Sequence, residues 1–101
     1  MANQFGDRIK QLRETNALLQ RQVASELQID TPMLSKIERG ERRAKKGHVV
    51  VFAKLYKVNN DELLTLWLAD QLVKVVENES CGLQAMLVAE EEVKYQTRKQ
   101  I

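Results

Sequence analysis

The stretch Gln20–Gly40, QRQVASELQIDTPMLSKIERG, decides the fold. Val23, Ala24 and Leu27 recur at helical spacing, Leu34 and Ile37 do so again, and Gln28-Ile29-Asp30 interrupts the rhythm between them. Two short amphipathic helices joined by a tight break form a helix-turn-helix pattern. Ala24 suits the crossing, because a methyl side chain lets two steeply crossed backbones approach where a leucine would hold them apart. Asp30 or Thr31 can cap the second helix, and Pro32 fits its first turn, where a missing N–H costs nothing. Arg39-Gly40 ends it.

Upstream, helix 1 is predicted from about Asn3 to Glu14, with Phe5, Ile9 and Leu12 facing inward. Thr15-Asn16 breaks it, and Leu18 continues the core. Helix 2 spans about Gln20–Leu27 and helix 3 about Thr31–Arg39. Downstream, Glu41–Gly47 reads as a short basic loop between two glycines. Helix 4 is predicted from His48 to Lys57: its valine run has poor helix propensity, but Val49, Phe52, Ala53 and Tyr56 keep the i, i+3, i+4, i+7 stripe. Helix 5, about Asp61–Glu77, carries more apolar residues than one stripe holds, which predicts burial on two sides, one against the first four helices and the other against helix 6 or a second subunit. Helix 6 is expected from Leu83 to Tyr95, with Leu83, Met86, Leu87 and Val93 on an apolar face and a frayed polar tail from Gln96.

With 101 residues and 44% apolar content, the chain has material for one modest core. The net charge of +2 hides an asymmetry: residues 1–57 carry +6 and residues 58–101 carry −4. The basic half contains the helix-turn-helix, so a polyanion partner is the reading, with a merely solvated surface as its alternative. No apolar run is long enough for a membrane span and the first ten residues lack a signal-peptide core, so no membrane partner and a cytoplasmic location are expected. Cys81 has no cysteine to pair with and no companion ligands at metal spacing; it is expected to be a buried or half-buried apolar residue. No nucleophile–base pairing or phosphate-cradling glycine loop stands out, so neither an enzyme nor a cofactor is expected. His48, alone near a helix start, reads as a surface or capping residue. Glu38 reads as one half of an intradomain ion pair that braces the end of helix 3.

Leu34-Ser35-Lys36-Ile37-Glu38-Arg39-Gly40, with Gln20 and Ala24 upstream and Phe52-Ala53 and Asp61-Glu62-Leu63-Leu64 downstream, resembles the XRE family of phage-repressor and Cro-like DNA-binding domains. The resemblance covers roughly residues 5–68. It implies an all-α fold: a five-helix repressor-like helix-turn-helix domain, residues 1–68, with an additional C-terminal helix in an extension, residues 69–101. It further implies a third helix in the DNA major groove and two-fold dimers on palindromic operators. One departure is Gln28, at a turn position usually held by glycine. A non-glycine residue there costs about 1 kcal/mol, which the fold tolerates.

With Leu34 and Ile37 turned to the core, Pro32, Met33 and Lys36 fall on the opposite face, with Thr31 and Ser35 at its margins. These five are the candidate base contacts. Lys36 can donate to guanine O6 and N7, and Met33, Pro32 and the Thr31 methyl can pack on thymine methyls. Gln20 resembles the family's phosphate-donating glutamine. Arg39, Arg42, Arg43, Lys45 and Lys46 lie where the family's loop approaches the DNA backbone, with Arg21 a further candidate on the same grounds. One recognition helix reads only a few base pairs, so a second copy is expected. Its interface is placed on helices 5 and 6 around Trp67, Leu68, Leu72, Val76, Met86 and Leu87; alternatively, helix 6 folds back to complete the monomer core.

These features imply a sequence-specific double-stranded DNA-binding transcriptional regulator, a repressor or restriction-modification-type controller acting as a homodimer. Two alternatives stand beside it: an antitoxin whose acidic helices hold a basic toxin, and a helical adaptor that keeps the fold without binding DNA. A protein partner, toxin or polymerase, follows from the first two readings.

Overall fold

The computed structural model describes residues 3–99. Six helices follow one another: α1 (Gln4–Thr15), α2 (Gln20–Leu27), α3 (Thr31–Glu38), α4 (Lys46–Tyr56), α5 (Asn60–Val76) and α6 (Gly82–Lys99). No strand occurs among the described residues, so the fold is all-α. The chain forms two compact units, one ending at Asp70 and the other beginning at Gln71.

The first unit has one core, and the periodicity of each helix explains its membership. Phe5, Ile9 and Leu12 come from α1, Val23, Ala24 and Leu27 from α2, and Leu34 and Ile37 from α3. Val49, Phe52, Ala53 and Tyr56 of α4 and Leu63 of α5 complete it. Ala24 is fully buried, as a close helix crossing requires. Phe52 sits at the centre, edge-to-face with Phe5 at 5.8 Å and stacked on Tyr56 at 6.0 Å. Complete burial of such side chains contributes about 1.5–3 kcal/mol each, which outweighs the weak helix propensity of the Val49–Val51 run. Val51 and Leu55, which lie beside the main stripe of α4, pack partly against the same core.

The ends of the helices are set by specific groups. Gln28 closes α2 in the left-handed region at φ 58° and ψ 40°, where the resemblance puts a glycine. Asp30 caps α3 by accepting from the Met33 amide at 2.8 Å. Gly40, at φ 77°, turns the chain out of α3 so that its own amide and that of Glu41 reach the Ile37 and Lys36 carbonyls. The first turn of α1 is capped from a distance: the Asp70 carboxylate on α5 accepts from the Gln4 amide at 3.0 Å and the Phe5 amide at 2.9 Å. Asn3, which would cap α1 in the ordinary way, gives its side-chain N–H to Asp7 and to the Glu38 carbonyl instead.

Three expectations are corrected. α4 begins at Lys46 rather than His48, which takes Gly47 out of the loop and into the helix. α6 runs to Lys99, so the polar stretch from Gln96 is helical; the Lys94–Glu90 pair and the Thr97 hydroxyl on the Val93 carbonyl tie its turns together. Cys81 is exposed, because it lies in the turn before α6 and not on an apolar face. α5 turns one side to the core of the first unit, as its apolar excess predicts. Leu63 is its one fully buried apolar residue, Leu64, Leu66 and Trp67 are half-buried, and Leu68 and Leu72 are 47% and 50% exposed. Among the described residues, no helix is long and apolar enough to cross a membrane.

Candidate nucleic-acid interface

The surface around α3 is built from three parts: the helix itself, the polar cluster at its C-terminal end, and the loop that follows. Leu34 and Ile37 are buried, and that rotation leaves Pro32 and Lys36 exposed on the far side. Thr31 and Ser35 are half-buried at the margins. The Ser35 hydroxyl accepts from the Arg39 guanidinium one turn away. Met33 differs from the expectation that it shares the outer face: it is half-buried and packs against the core, with only part of its thioether side chain turned outward.

At the end of α3, Glu38 is 3% exposed and fully engaged. Arg13 donates to it twice, from Nε to Oε2 at 2.7 Å and from Nη2 to Oε1 at 3.1 Å, and Gln20 Nε2 donates to Oε1 at 3.0 Å. A third Arg13 N–H reaches the Leu18 carbonyl. The hydrogen bond to Glu38 holds the Arg13 guanidinium above its ordinary pKa, against a smaller effect of burial. This is the ion pair expected of Glu38, and it joins α1, α2 and α3 at one point. Gln20, the candidate phosphate donor, is thereby oriented; its amide nitrogen carries a second hydrogen for another acceptor. The Tyr56 hydroxyl is buried without a partner, and desolvation, then the nearby Glu38 charge, pushes its pKa above the usual phenol range.

The loop between α3 and α4 presents cations because one residue in its middle is buried. Ala44 is 2% exposed and its carbonyl accepts from the Trp67 indole N–H at 2.8 Å. With Ala44 pinned inward, Arg42 and Arg43 before it and Lys45 and Lys46 after it are all exposed. Arg43 lies over the Trp67 ring at 5.8 Å, a cation–π contact. Trp67 thus braces the loop in the first unit, a contact the sequence reading of this residue did not contain. Lys45 stands at the N-cap of α4 and offers no side-chain acceptor to the helix, so the first amides of α4 open among the loop's cations. A helix N-terminus with free amides favours a phosphate. Arg39 is exposed and paired with Glu41, a hydrogen bond that raises the arginine's pKa and lowers the glutamate's. Arg21 is exposed on the first turn of α2.

The candidate residues on α2, α3 and the loop therefore belong to one unit of the molecule. The six candidate interface residues are distributed differently. Leu68 on α5 belongs to the first unit with Trp67. Leu72, Val76, Met86 and Leu87 belong to the second, where Leu72 and Leu87 are exposed and Val76 and Met86 half-buried.

His48, read from the sequence as a surface or capping residue, lies inside the first turn of α4 beside Lys45. It is half-buried at the start of α4, and its Nδ1 is buried with no partner. Desolvation first, and then the charge of Lys45, hold its pKa below the ordinary histidine value.

Comparison with curated proteins and with solved structures gave no match. A family model described as a helix-turn-helix domain matches residues 4–66, the span that runs from the first turn of α1 into α5 and includes every candidate DNA contact. The chain belongs to the helix-turn-helix domain family.

Proposed function

We propose that the protein is a sequence-specific double-stranded DNA-binding regulator of the XRE type, acting as a dimer on a two-fold operator and repressing from it. The observation that carries the reading is the stretch Arg42–Lys46, the loop after α3 and the first residue of α4: burial of Ala44 and the Trp67 hydrogen bond hold four cations outward beside the exposed face of α3. Phosphate contacts from this loop, from Arg39 and Arg21, and from the second N–H of Gln20 fix the register of α3 on the duplex. Lys36 then donates to a guanine edge, and Pro32, the Thr31 methyl, Ser35 and the outer part of Met33 meet the neighbouring base pairs. Leu68, Leu72 and Leu87 supply exposed apolar surface for a second copy, which doubles the bases read.

The test is selection of bound fragments from random duplex DNA, followed by titration of the selected sequence and a scrambled one at several salt concentrations. A two-fold sequence, retained more tightly than the scrambled duplex and lost steeply as salt rises, is the expected result. Retention of neither duplex at low salt refutes the reading. For the dimer, sedimentation of the full chain is compared with that of Leu72→Asp. A monomer in both states, free and DNA-bound, refutes it.

A second reading, an antitoxin that holds a basic protein, draws on α6. Leu83, Leu87 and Val88 are exposed there and Glu90-Glu91-Glu92 follow. A basic protein that sediments with the chain and is released by Leu87→Asp supports it.

A further inference from the structure

α5 holds to the first unit in two different ways along its length. Leu63, near its start, is fully buried in the core. Beyond it, Leu66, Trp67 and Asp70 stand at the i+3, i+4 and i+7 positions on the same side of the helix, and all three are half-buried. Two of them reach the rest of the unit through polar groups. The Trp67 indole N–H donates to the Ala44 carbonyl in the basic loop at 2.8 Å. The Asp70 carboxylate accepts from the Gln4 and Phe5 amides of α1 at 3.0 and 2.9 Å. The apolar seal beside these contacts is incomplete: Leu66 and the α1 residues Gln4, Asp7, Arg8 and Gln11 line a surface cavity of about 430 Å³.

The helix-turn-helix is held otherwise. Val23 and Ala24 of α2 and Leu34 of α3 have no exposure at all. An element held by a few part-exposed hydrogen bonds opens at a lower free energy than one with a dry apolar face, so the stretch of α5 after Leu63 opens before α2 and α3 do. Trp67 and Asp70 are three residues apart, less than one helical turn, so neither contact breaks far without disturbing the other. Their targets lie far apart in the sequence. Ala44 fixes the loop that carries the exposed cations, and Gln4 and Phe5 open α1.

We propose that Trp67 and Asp70 form one latch on the basic loop: seated, they fix Ala44 and the first turn of α1 together, and released, they free both while α2 and α3 stay folded. α5 continues unbroken past Asp70 to Val76, so the helix that leaves the first unit is the helix that secures the loop. Control of DNA binding by the latch rests on the regulator reading. There, duplex binds the seated state more tightly, release weakens the grip on phosphate, and bound duplex in turn keeps the latch seated by the same factor.

The test follows hydrogen exchange in the full-length chain by nuclear magnetic resonance at three reporters: the Gln4 and Phe5 amides and the indole N–H of Trp67, the single tryptophan of the sequence. Trp67→Phe keeps a ring for Arg43 and removes the donor, and Asp70→Asn keeps the shape of the cap and removes its charge. Each is expected to speed exchange at the other's contact by about three- to tenfold, the factor that one hydrogen bond is worth: Trp67→Phe at Gln4 and Phe5, Asp70→Asn at the indole. The Ile37 amide in α3 is expected to change by less than about twofold. Effects confined to each variant's own contact overturn the latch, as does equal acceleration at Ile37, which would make the opening global. Should Trp67→Phe lose the wild-type circular dichroism spectrum, Asp70→Asn and the indole decide. In the second arm, saturating selected duplex is expected to slow exchange at the three reporters about tenfold or more, although none is a candidate DNA contact. Unchanged exchange at Gln4 and Phe5 in the bound protein overturns control of DNA binding by the latch. A chain that retains no duplex refutes the regulator reading, while the cross-effects in the free protein still decide the latch.

Discussion

Replacing Arg13 by methionine removes the guanidinium that satisfies Glu38 and leaves the rest of the cluster in place. The geometry sets the size of the effect. Glu38 is 3% exposed, receives two of its three side-chain hydrogen bonds from Arg13, and would retain only the one from Gln20 at 3.0 Å. An uncompensated buried carboxylate costs about 3–5 kcal/mol when its partner is removed. Small domains have stabilities of about 5–15 kcal/mol, so the loss consumes a large share of the total. At about 4–8 °C per kcal/mol, the thermal midpoint falls by about 12–40 °C. The double variant Arg13→Met, Glu38→Met removes both charges and keeps the side-chain volume. It is expected within about 2 kcal/mol of wild type, since methionine packs where the ion pair stood and Gln20 is half-buried with access to water. Urea denaturation followed by circular dichroism, with both single variants completing the cycle, measures the coupling. A cost below about 1 kcal/mol for Arg13→Met, or strictly additive single effects, refutes the argument that the pair is desolvated and interdependent.

Other consequences are equally specific. Gly6→Ala reverses the usual helix preference: a Cβ there would stand 2.6 Å from the Glu38 carbonyl oxygen, so the variant loses about 2 kcal/mol or more, whereas Gly47→Ala in α4 meets nothing within 4 Å and gains about 0.5–1 kcal/mol. Chemical denaturation of the two variants gives opposite signs. Arg42→Ala with Lys46→Ala weakens binding to selected and scrambled duplexes alike and lowers the slope of log affinity against log salt by about 1.8, read from titrations at several salt concentrations. Because burial and Lys45 hold the His48 pKa below its ordinary 6.5, the unfolded chain takes up the proton first, and stability is lost as pH falls below that value. His48→Leu removes this dependence: the difference in unfolding free energy between the two proteins is flat above pH 7 and shifts in favour of the variant toward about pH 5.

What could be read from the sequence divides along a physical line. α2 and α3 were legible because both are short, amphipathic and bounded by local chemistry, with Asp30 and Gly40 acting within a few residues of themselves. The role of Glu38 as an ion-pair member was legible as well. Its partners were not, since Arg13 and Gln20 are brought to it by the crossing of three helices. The bracing of Ala44 by Trp67 escaped for a related reason: a backbone carbonyl has no side-chain signature, so an apolar aromatic on α5 read only as surface for a second copy. The start of α4 was misplaced because Lys45, Lys46 and Gly47 carry no capping signal, and helix formation there is set by burial of Val49 and Phe52. The proposed base contacts rest on the face that α3 presents. Met33 is the residue whose placement changed most, from an outer face to a shared position between the core and a cavity.

The cap that Asp70 places on α1 joins the two ends of the first unit in time as well as in space. At about 5–20 residues per second, synthesis of the 66 residues separating Gln4 from Asp70 takes about 3–13 s, and through that interval the Gln4 and Phe5 amides lack the carboxylate that caps them in the folded unit. The segment containing α2 and α3 has its local caps as soon as it emerges. The helix-turn-helix is thus equipped to form early, and α1 is secured last, when α5 arrives. Slow amide exchange at Gln4 and Phe5 consequently reports closure of the whole unit, and these two amides are the place to watch for its first opening.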